Sequence, residues 1–340
     1  MDNIIAALEH NDRVCQIDID NLTISQLGYV ANSAAIVKPF PELTGLRLTM
    51  FVDDEPGPIP PDLLLGGTAP RLQSLKLDRV PFPGLSKLLF SATHLVRLEI
   101  YNIPRSGYIP PEVMATSLCA LNSLEHLHFR FLHPRLRLAL ESLRLPPPPP
   151  TRSILPGLTA ILFKGASEYL EEILARIDAP RLDQLHITFF NQIIFDKDNS
   201  LFQFITRNPT LRVLEEGRIA FNSKAIIVEL PSQTFGYNTL CAVSEWQLSS
   251  LEQVCTSSLP PISTLEDLYI YEYRDWLQPC WQDDVENPLW LELLHVFASV
   301  KNLYVSEEFV PRIAPALQEL VGGRTTEVLP SLENIFLEGF

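Results

Sequence analysis

Apolar residues along this chain recur in a short phrase, an aliphatic residue followed by apolar residues three and five positions on. Its first aliphatic falls at Val14, Leu43, Leu72, Leu95, Leu124, Leu158, Leu182, Leu211, Leu240, Leu265, Val300 and Leu332. The intervals are 29, 29, 23, 29, 34, 24, 29, 29, 25, 35 and 32 residues, so five of the eleven are 29. All twelve anchors have an aliphatic at plus three. Ten have an apolar residue at plus five; the other two carry Glu216 and Glu245, which makes repeats eight and nine weak. A proline stands two residues ahead of many anchors, at Pro41, Pro70, Pro156, Pro180, Pro209 and Pro330. Apolar–polar alternation after the anchor predicts a strand with one buried side. A lone strand of this kind cannot hide its leucines, so consecutive strands must lie side by side over a shared core.

The stretches between strands read as return segments, many of them helical. SEYLEEILARID (167–178) has apolar residues at helical spacing behind Ser167, a plausible N-cap. NPLWLELLHVFA (287–298) places Pro288 at the first helical position behind Asn287, with Trp290 on the core side. SSLEQVC (249–255) offers Ser249 and Glu252 as a capping box, PEVMATSLCAL (111–121) is similar, and Ile4–Leu8 begins the chain with a helix.

A period near 29 with L-x-x-L-x-L is the signature of the leucine-rich repeat. The expected fold is therefore α/β: one irregular solenoid of about twelve repeats over residues 1–340, parallel sheet on the concave side, helices and turns on the convex side. The slot three after the last leucine is apolar (Leu22, Phe51, Val80, Ile103, Leu132, Phe190), where many such repeats carry Asn or Cys. Without that side-chain ladder a less regular arc is expected.

The residues between the leucines map the open face. The first repeat offers Gln16, Asp18 and Asp20. The next six offer Arg47, Lys76, Arg97, His126, His128, Arg130, Lys164 and His186, with Asp78 and Glu99 among them. The last three offer Asp267, Tyr269, Tyr271, Tyr304, Phe336 and Glu338. The face is thus read as basic in the middle and aromatic with acid at the end, and as a surface for a protein partner, because Tyr and Arg are favoured at binding hot spots. Two insertions interrupt the period. LRLPPPPPTR (143–152) favours an extended polyproline rod, a stiff loop or a ligand for a proline-binding domain. The acidic loop at 272–288 carries Trp276 and Trp281, candidates for partner contact.

Charge narrows the partners. The chain has 41 acidic and 26 basic residues, a net charge of −15, which disfavours nucleic acid and anionic membranes. Residues 245–340 hold 16 acids and 4 bases, a balance of −12, and the other 244 residues hold 25 and 22, a balance of −3. Five widely spaced cysteines, Cys15, Cys119, Cys241, Cys255 and Cys280, suit reduced thiols in an intracellular protein, cytoplasmic or nuclear. The start has no secretory-signal pattern, and no apolar run is long enough to span a membrane. His126 and His128 share one side of a strand but lack a third ligand of the right kind, so no metal or cofactor is expected. No phosphate-cradling, dinucleotide or nucleophile-elbow motif occurs, so the chain is read as a non-enzymatic module.

Several long phrases, DNIIAALEHNDRVCQIDI, WQLSSLEQVC, SLPPISTLEDLYIYE and PRIAPALQELVGGRTTEVLPSLENIFLEGF, resemble the repeat region of basidiomycete fungal F-box proteins. The resemblance runs over nearly the whole chain. It implies a substrate receptor of a cullin-based ubiquitin ligase, with the repeats holding a target protein. An F-box ahead of them would dock on the ligase's linker subunit. That segment should open L-P-x-[ED] and precede the repeats, whereas Met1 already lies inside the resembling region and Phe340 falls just after a strand. The linker is therefore a partner only if an F-box lies upstream, and a freestanding repeat scaffold or inhibitor is the alternative.

Overall fold

The computed structural model describes residues 2–31, 33, 38–51, 64–82, 84–132, 152–189, 200–208, 211, 216–222, 225–232, 236–242, 264–272, 287–321 and 328–338. The chain divides into two compact units, Met1–Arg181 and Leu182–Phe340. Both combine helices with a largely parallel sheet.

The first unit begins with α1 (Asp2–Leu8) and runs through β1 (Gln16–Leu22), α2 (Ile24–Ala31), β2 (Gly45–Met50), β3 (Ser74–Asp78), α3 (Leu85–Ser91), β4 (Arg97–Ile103), α4 (Pro111–Leu118), β5 (His126–Phe131), β6 (Ser153–Ile154), β7 (Ala160–Gly165), α5 (Ser167–Leu174) and β8 (Ile177–Asp178). Strands β1, β2, β3, β4, β5 and β7 pair in that order, each parallel to the next. The short strands β6 and β8 form a separate parallel pair.

One local device recurs at eight of the twelve anchors. The anchor N–H donates to the carbonyl three residues back at Leu43, Leu72, Leu95, Leu124, Leu158, Leu211, Val300 and Leu332. Such a turn favours proline at its second position, where φ is preset and no N–H is needed. This is the place of Pro41, Pro70, Pro156 and Pro330. Strands begin two residues after the anchor in ten of the twelve repeats, at Gln16, Gly45, Ser74, Arg97, His126, Ala160, Gln184, Asp267, Asn302 and Asn334.

A backbone ladder links successive repeats where the sequence lacks a side-chain one. The carbonyl one past each anchor accepts two N–H groups from the next repeat: Cys15 from Thr44 and Gly45, Thr44 from Gln73 and Ser74, Gln73 from Val96 and Arg97, Val96 from Glu125 and His126, Glu125 from Thr159 and Ala160. Seven residues past three anchors the backbone turns left-handed, at Asn21, Arg79 and Asn102 (φ 56°, 60° and 51°). Asn tolerates that region better than most residues; at Asn21 and Asn102 the pairing shifts register before Leu22 and Ile103, and Arg79 follows the end of β3.

Alternation then sorts the side chains. Leu46, Leu48, Leu75, Leu77, Leu98, Ile100, Leu127, Phe129, Ile161 and Phe163 are buried. Met114 and Leu118 of α4 and Leu170, Ile173 and Leu174 of α5 meet Leu127, Phe129, Ile161 and Phe163 beneath the sheet. Tyr169 of α5 stacks on Phe129 and Phe163 at 5.7 and 6.2 Å and meets Phe131 edge-on at 4.8 Å. Its hydroxyl donates to the Ile109 carbonyl at 3.0 Å. Ser167 does not cap this helix: Ala166 holds the cap position, and Ser167 donates instead to Glu168. The helix also stops at Leu174, since Ile177 and Asp178 pair with Ser153 and Ile154.

The second unit contains β9 (Gln184–Phe189), α6 (Ser200–Arg207), β10 (Glu216–Asn222), β11 (Ala225–Ser232), β12 (Gly236–Ala242), β13 (Asp267–Glu272), α7 (Asn287–His295), β14 (Asn302–Ser306), α8 (Val310–Val321) and β15 (Asn334–Glu338). Its strand order is β9-β12-β11-β10-β13-β14-β15. Repeats eight and nine are corrected here. Residues 216–242 fold as two antiparallel hairpins, with β11 running against β10 and β12. Leu240 starts no strand; it lies inside β12, opposite Ile187 of β9 and Val228 of β11. β12 is parallel to β9 and β10 parallel to β13, so the parallel order resumes on each side. Leu240 is one of the two anchors without an apolar residue at plus five. α7 begins at Asn287, one residue ahead of the expected first position Pro288, and Trp290 is fully buried against Phe309 of the segment leading into α8, ring centroids 6.1 Å apart. The capping box at 249–255 and the proline run at 146–150 lie outside the described residues.

Candidate functional site

The open side of the first sheet carries a continuous row of mostly polar side chains, because register puts one outward residue of each strand beside the next. The row is Asp18, Arg47, Lys76, Glu99, His128 and Leu162. Two bases, Arg47 and Lys76, stand side by side in it, flanked by Asp18 and Glu99. Arg47 pairs with Asp18 at 3.8 Å and with Asp20 at 3.2 Å, and Lys76 pairs with Glu99 at 3.4 Å. Half-exposed pairs of this kind contribute about 0.2–1 kcal/mol each, so their main effect is to hold side chains in place. Arg47 and Lys76 are thus matched by acids on neighbouring strands, which a strand-by-strand charge map does not reveal.

Tyr101, two residues beyond Glu99 on β4, is the hub of this face. Its hydroxyl lies 2.7 Å from His128 Nδ1. Lys76 Nζ stands 5.2 Å from the centre of its ring and the Arg130 guanidinium 5.8 Å, both within cation–π range. Beside it, Asn102 Nδ2 donates to Asp78 at 2.8 Å. Burial, reinforced by Glu99, pushes the Tyr101 phenol up to about 12, so it stays a neutral donor near neutral pH. Arg97 is exposed beside His126 at the start of β4 and β5, and Lys164 sits opposite Arg130. Tyr101 fills the last outward slot of x-L-x-L-x in the fourth repeat, the slot that holds Asp78 and Arg130 in its neighbours, so its place on the face is legible in the sequence although the map of charged residues passes over it.

Burial lowers the pKa of His128; Glu99 opposes the shift, while His126, Lys76 and Arg97 add to it. A histidine held neutral contributes stability that is complete above the ordinary imidazole pKa and is lost as pH falls through the depressed folded value. Protonation also removes Nδ1 as acceptor for Tyr101. Replacing His128 with Asn removes the titration, so the melting-temperature gap between wild type and His128→Asn is expected to be flat above about pH 6.5. Below that the gap should shift against the wild type.

On the second unit the register row His186, Thr239, Glu229, Arg218, Tyr269, Tyr304, Phe336 crosses all seven strands. Its last part is an aromatic stack. Tyr269 lies on Tyr304 at 4.2 Å with planes 6° apart, and Tyr304 on Phe336 at 4.6 Å and 12°. Arg218 caps the inner end, 5.3 Å from the Tyr269 centroid. Two residues earlier on each strand runs an amide ladder: Asn334 donates to Asn302 at 2.8 Å and Asn302 to Asp267 at 2.6 Å. Tyr271 stands opposite Ala220, two residues past Tyr269. Arg218 was not foreseen, since the repeat-eight register placed no strand residue there. Trp276 and Trp281 lie outside the described residues.

Among the described residues no cluster of three or more His, Cys, Asp or Glu could hold a metal ion, and no helix is long and apolar enough to cross a membrane. No family model and no curated protein matches the sequence. Among solved structures, the leucine-rich repeat-containing protein LegL7 from Legionella pneumophila is similar to the chain at 11% identity and a TM-score of 0.35, over 95% of this chain and 91% of that one. A likeness that slight carries no argument, and the reading below rests on the residues.

Proposed function

We propose that this chain is a leucine-rich-repeat module that binds another protein, without catalysis, through the open face of its sheet. The supporting observation is the preorganisation of that face. Tyr101, Tyr269 and Tyr304, with Arg218 and Arg130 against them, are already fixed by stacking, cation–π contact and register. Tyrosine and arginine supply most hot-spot energy, and side chains ordered before binding lose less entropy in the complex. Arg47, Lys76, Arg97, His126, His128, Arg130, Lys164 and His186 would form the polar part of the surface; Asp267, Tyr269, Tyr271 and Tyr304 would form the aromatic and acidic part. Trp276 and Trp281 are proposed as loop contacts. The phrase-level resemblance supports a finer reading: target recognition for an intracellular F-box receptor of a cullin–RING ubiquitin ligase. A scaffold or inhibitor using the same face, with no ligase link, is the alternative.

Quantitative affinity capture from cell extract tests the face. The wild type, Tyr269→Ala/Tyr304→Ala and Arg97→Glu/Arg130→Glu are compared with Lys87→Glu on α3. Proteins held by the wild type are expected to be lost from the face variants, with affinity down about 30-fold per hot spot, roughly 2 kcal/mol, and kept by Lys87→Glu. An identical captured set from all four sinks the reading. With the full gene product, co-capture of a cullin and its linker subunit favours the receptor, and target capture without them favours the scaffold.

A further inference from the structure

The edge strand β15 breaks the burial rule of the inner strands. At the two core-side positions Leu268, Ile270, Leu303 and Val305 are no more than 2% exposed, whereas Ile335 and Leu337 are 49% and 63% exposed. Phe336, at the end of the aromatic stack, is 39% exposed. The edge is also open in its backbone. The Asn334 N–H donates inward to the Lys301 carbonyl, so by alternation the N–H and C=O groups of Asn334, Phe336 and Glu338 face β14. Those of Ile335 and Leu337 face outward. A long apolar edge of this kind is a template for another strand.

We propose that β15 pairs antiparallel with β15 of a second copy of this chain, about a two-fold axis through Phe336. The strand reads Asn334–Ile335–Phe336–Leu337–Glu338, polar–apolar–aromatic–apolar–polar, and is close to symmetric about its centre. A two-fold interface requires a surface complementary to itself, and this one is. Ile335 falls opposite the partner copy's Leu337 and exchanges both outward backbone hydrogen bonds with it. Asn334 falls opposite Glu338, an amide against a carboxylate. Phe336 meets its own copy as a non-hydrogen-bonded pair, in which Cα atoms stand about 4.5 Å apart and side chains are closest. The stack Tyr269–Tyr304–Phe336 then runs on across the axis into its mirror sequence. A parallel guest strand would gain no such match, and β1 of another copy would set Asp18 against Phe336.

The inference goes beyond the open-face reading and fails separately from it, since Leu337 points to the core side of the sheet. Sedimentation of the full chain is expected to show a species of twice 38.4 kDa, about 77 kDa. So small an interface dissociates on the order of 10 µM. Leu337→Lys is expected to sediment as a monomer with an unchanged circular-dichroism spectrum. In a background with the five natural cysteines replaced by serine, Phe336→Cys is expected to form an intermolecular disulfide. Ile335→Cys is not, because its two copies stand diagonally, roughly 8 Å apart, beyond disulfide reach. A chain monomeric at about 200 µM, equal cross-linking at 335 and 336, or a dimer indifferent to Leu337→Lys overturns the proposal.

Discussion

Replacing Tyr169 with alanine is expected to destabilise the first unit by about 3–5 kcal/mol, the range for deleting a buried aromatic side chain. Tyr169 is fully buried and touches Phe129, Phe131, Phe163 and Tyr108. No neighbour can collapse into the space, because these rings come from three separate segments. Gly165 shows how tight the cluster is: a Cβ there would lie 2.7 Å from both Phe131 and Phe163. Tyr169→Phe keeps the packing and loses only the bond to Ile109, a cost of about 1 kcal/mol. Hydrogen exchange at β5 and β7 reads both changes. About a hundred- to thousand-fold faster exchange is expected for alanine, and within tenfold for phenylalanine.

The second large effect is Trp290→Ala, expected to cost the second unit about 3–5 kcal/mol. Trp290 of α7 is 1% exposed and meets the ring of Phe309. Deleting it leaves a void between that helix and the segment that follows β14. Amides of β14 should exchange faster by two to three decades, roughly the tenfold per 1.4 kcal/mol that the loss implies. Amides of β2 and β3 in the first unit are expected to keep their wild-type rates. Uniform acceleration across both units would contradict this local reading.

The strands were legible because a repeat phrase is a physical constraint applied many times. The position two after the anchor starts a strand at Gly45 and Ser74 for the same reason it does at Asn302 and Asn334: a proline-compatible turn, then apolar residues that must face one way. The fate of Trp290 was legible from its place among the apolar residues of a helical stretch. The segment 216–242 was not, because the search for a fixed interval forced Leu211 and Leu240 into a register that lacks the second leucine. The run of apolar residues from Ala225 to Val228 equally suits an inner strand of a hairpin, and the pairing of β11 decides it. On the open face, position was readable and partnership was not. Arg47 and Lys76 read as a basic patch one strand at a time, yet their acids come from adjacent strands 23 to 29 residues away. Tyr101 became the hub through neighbours on β3 and β5 that only the register supplies.

That register is the claim on which everything else stands, and a spin-label distance tests it most directly. Labels at Asp18→Cys and Leu162→Cys, with the five natural cysteines replaced by serine, sit on one row of the first sheet, five strand steps apart. At about 4.8 Å per step the backbone separation is about 24 Å. One narrow distance distribution near that value is the predicted result. A broad distribution, or a peak beyond about 35 Å, would show that these strands do not lie side by side in sequence order.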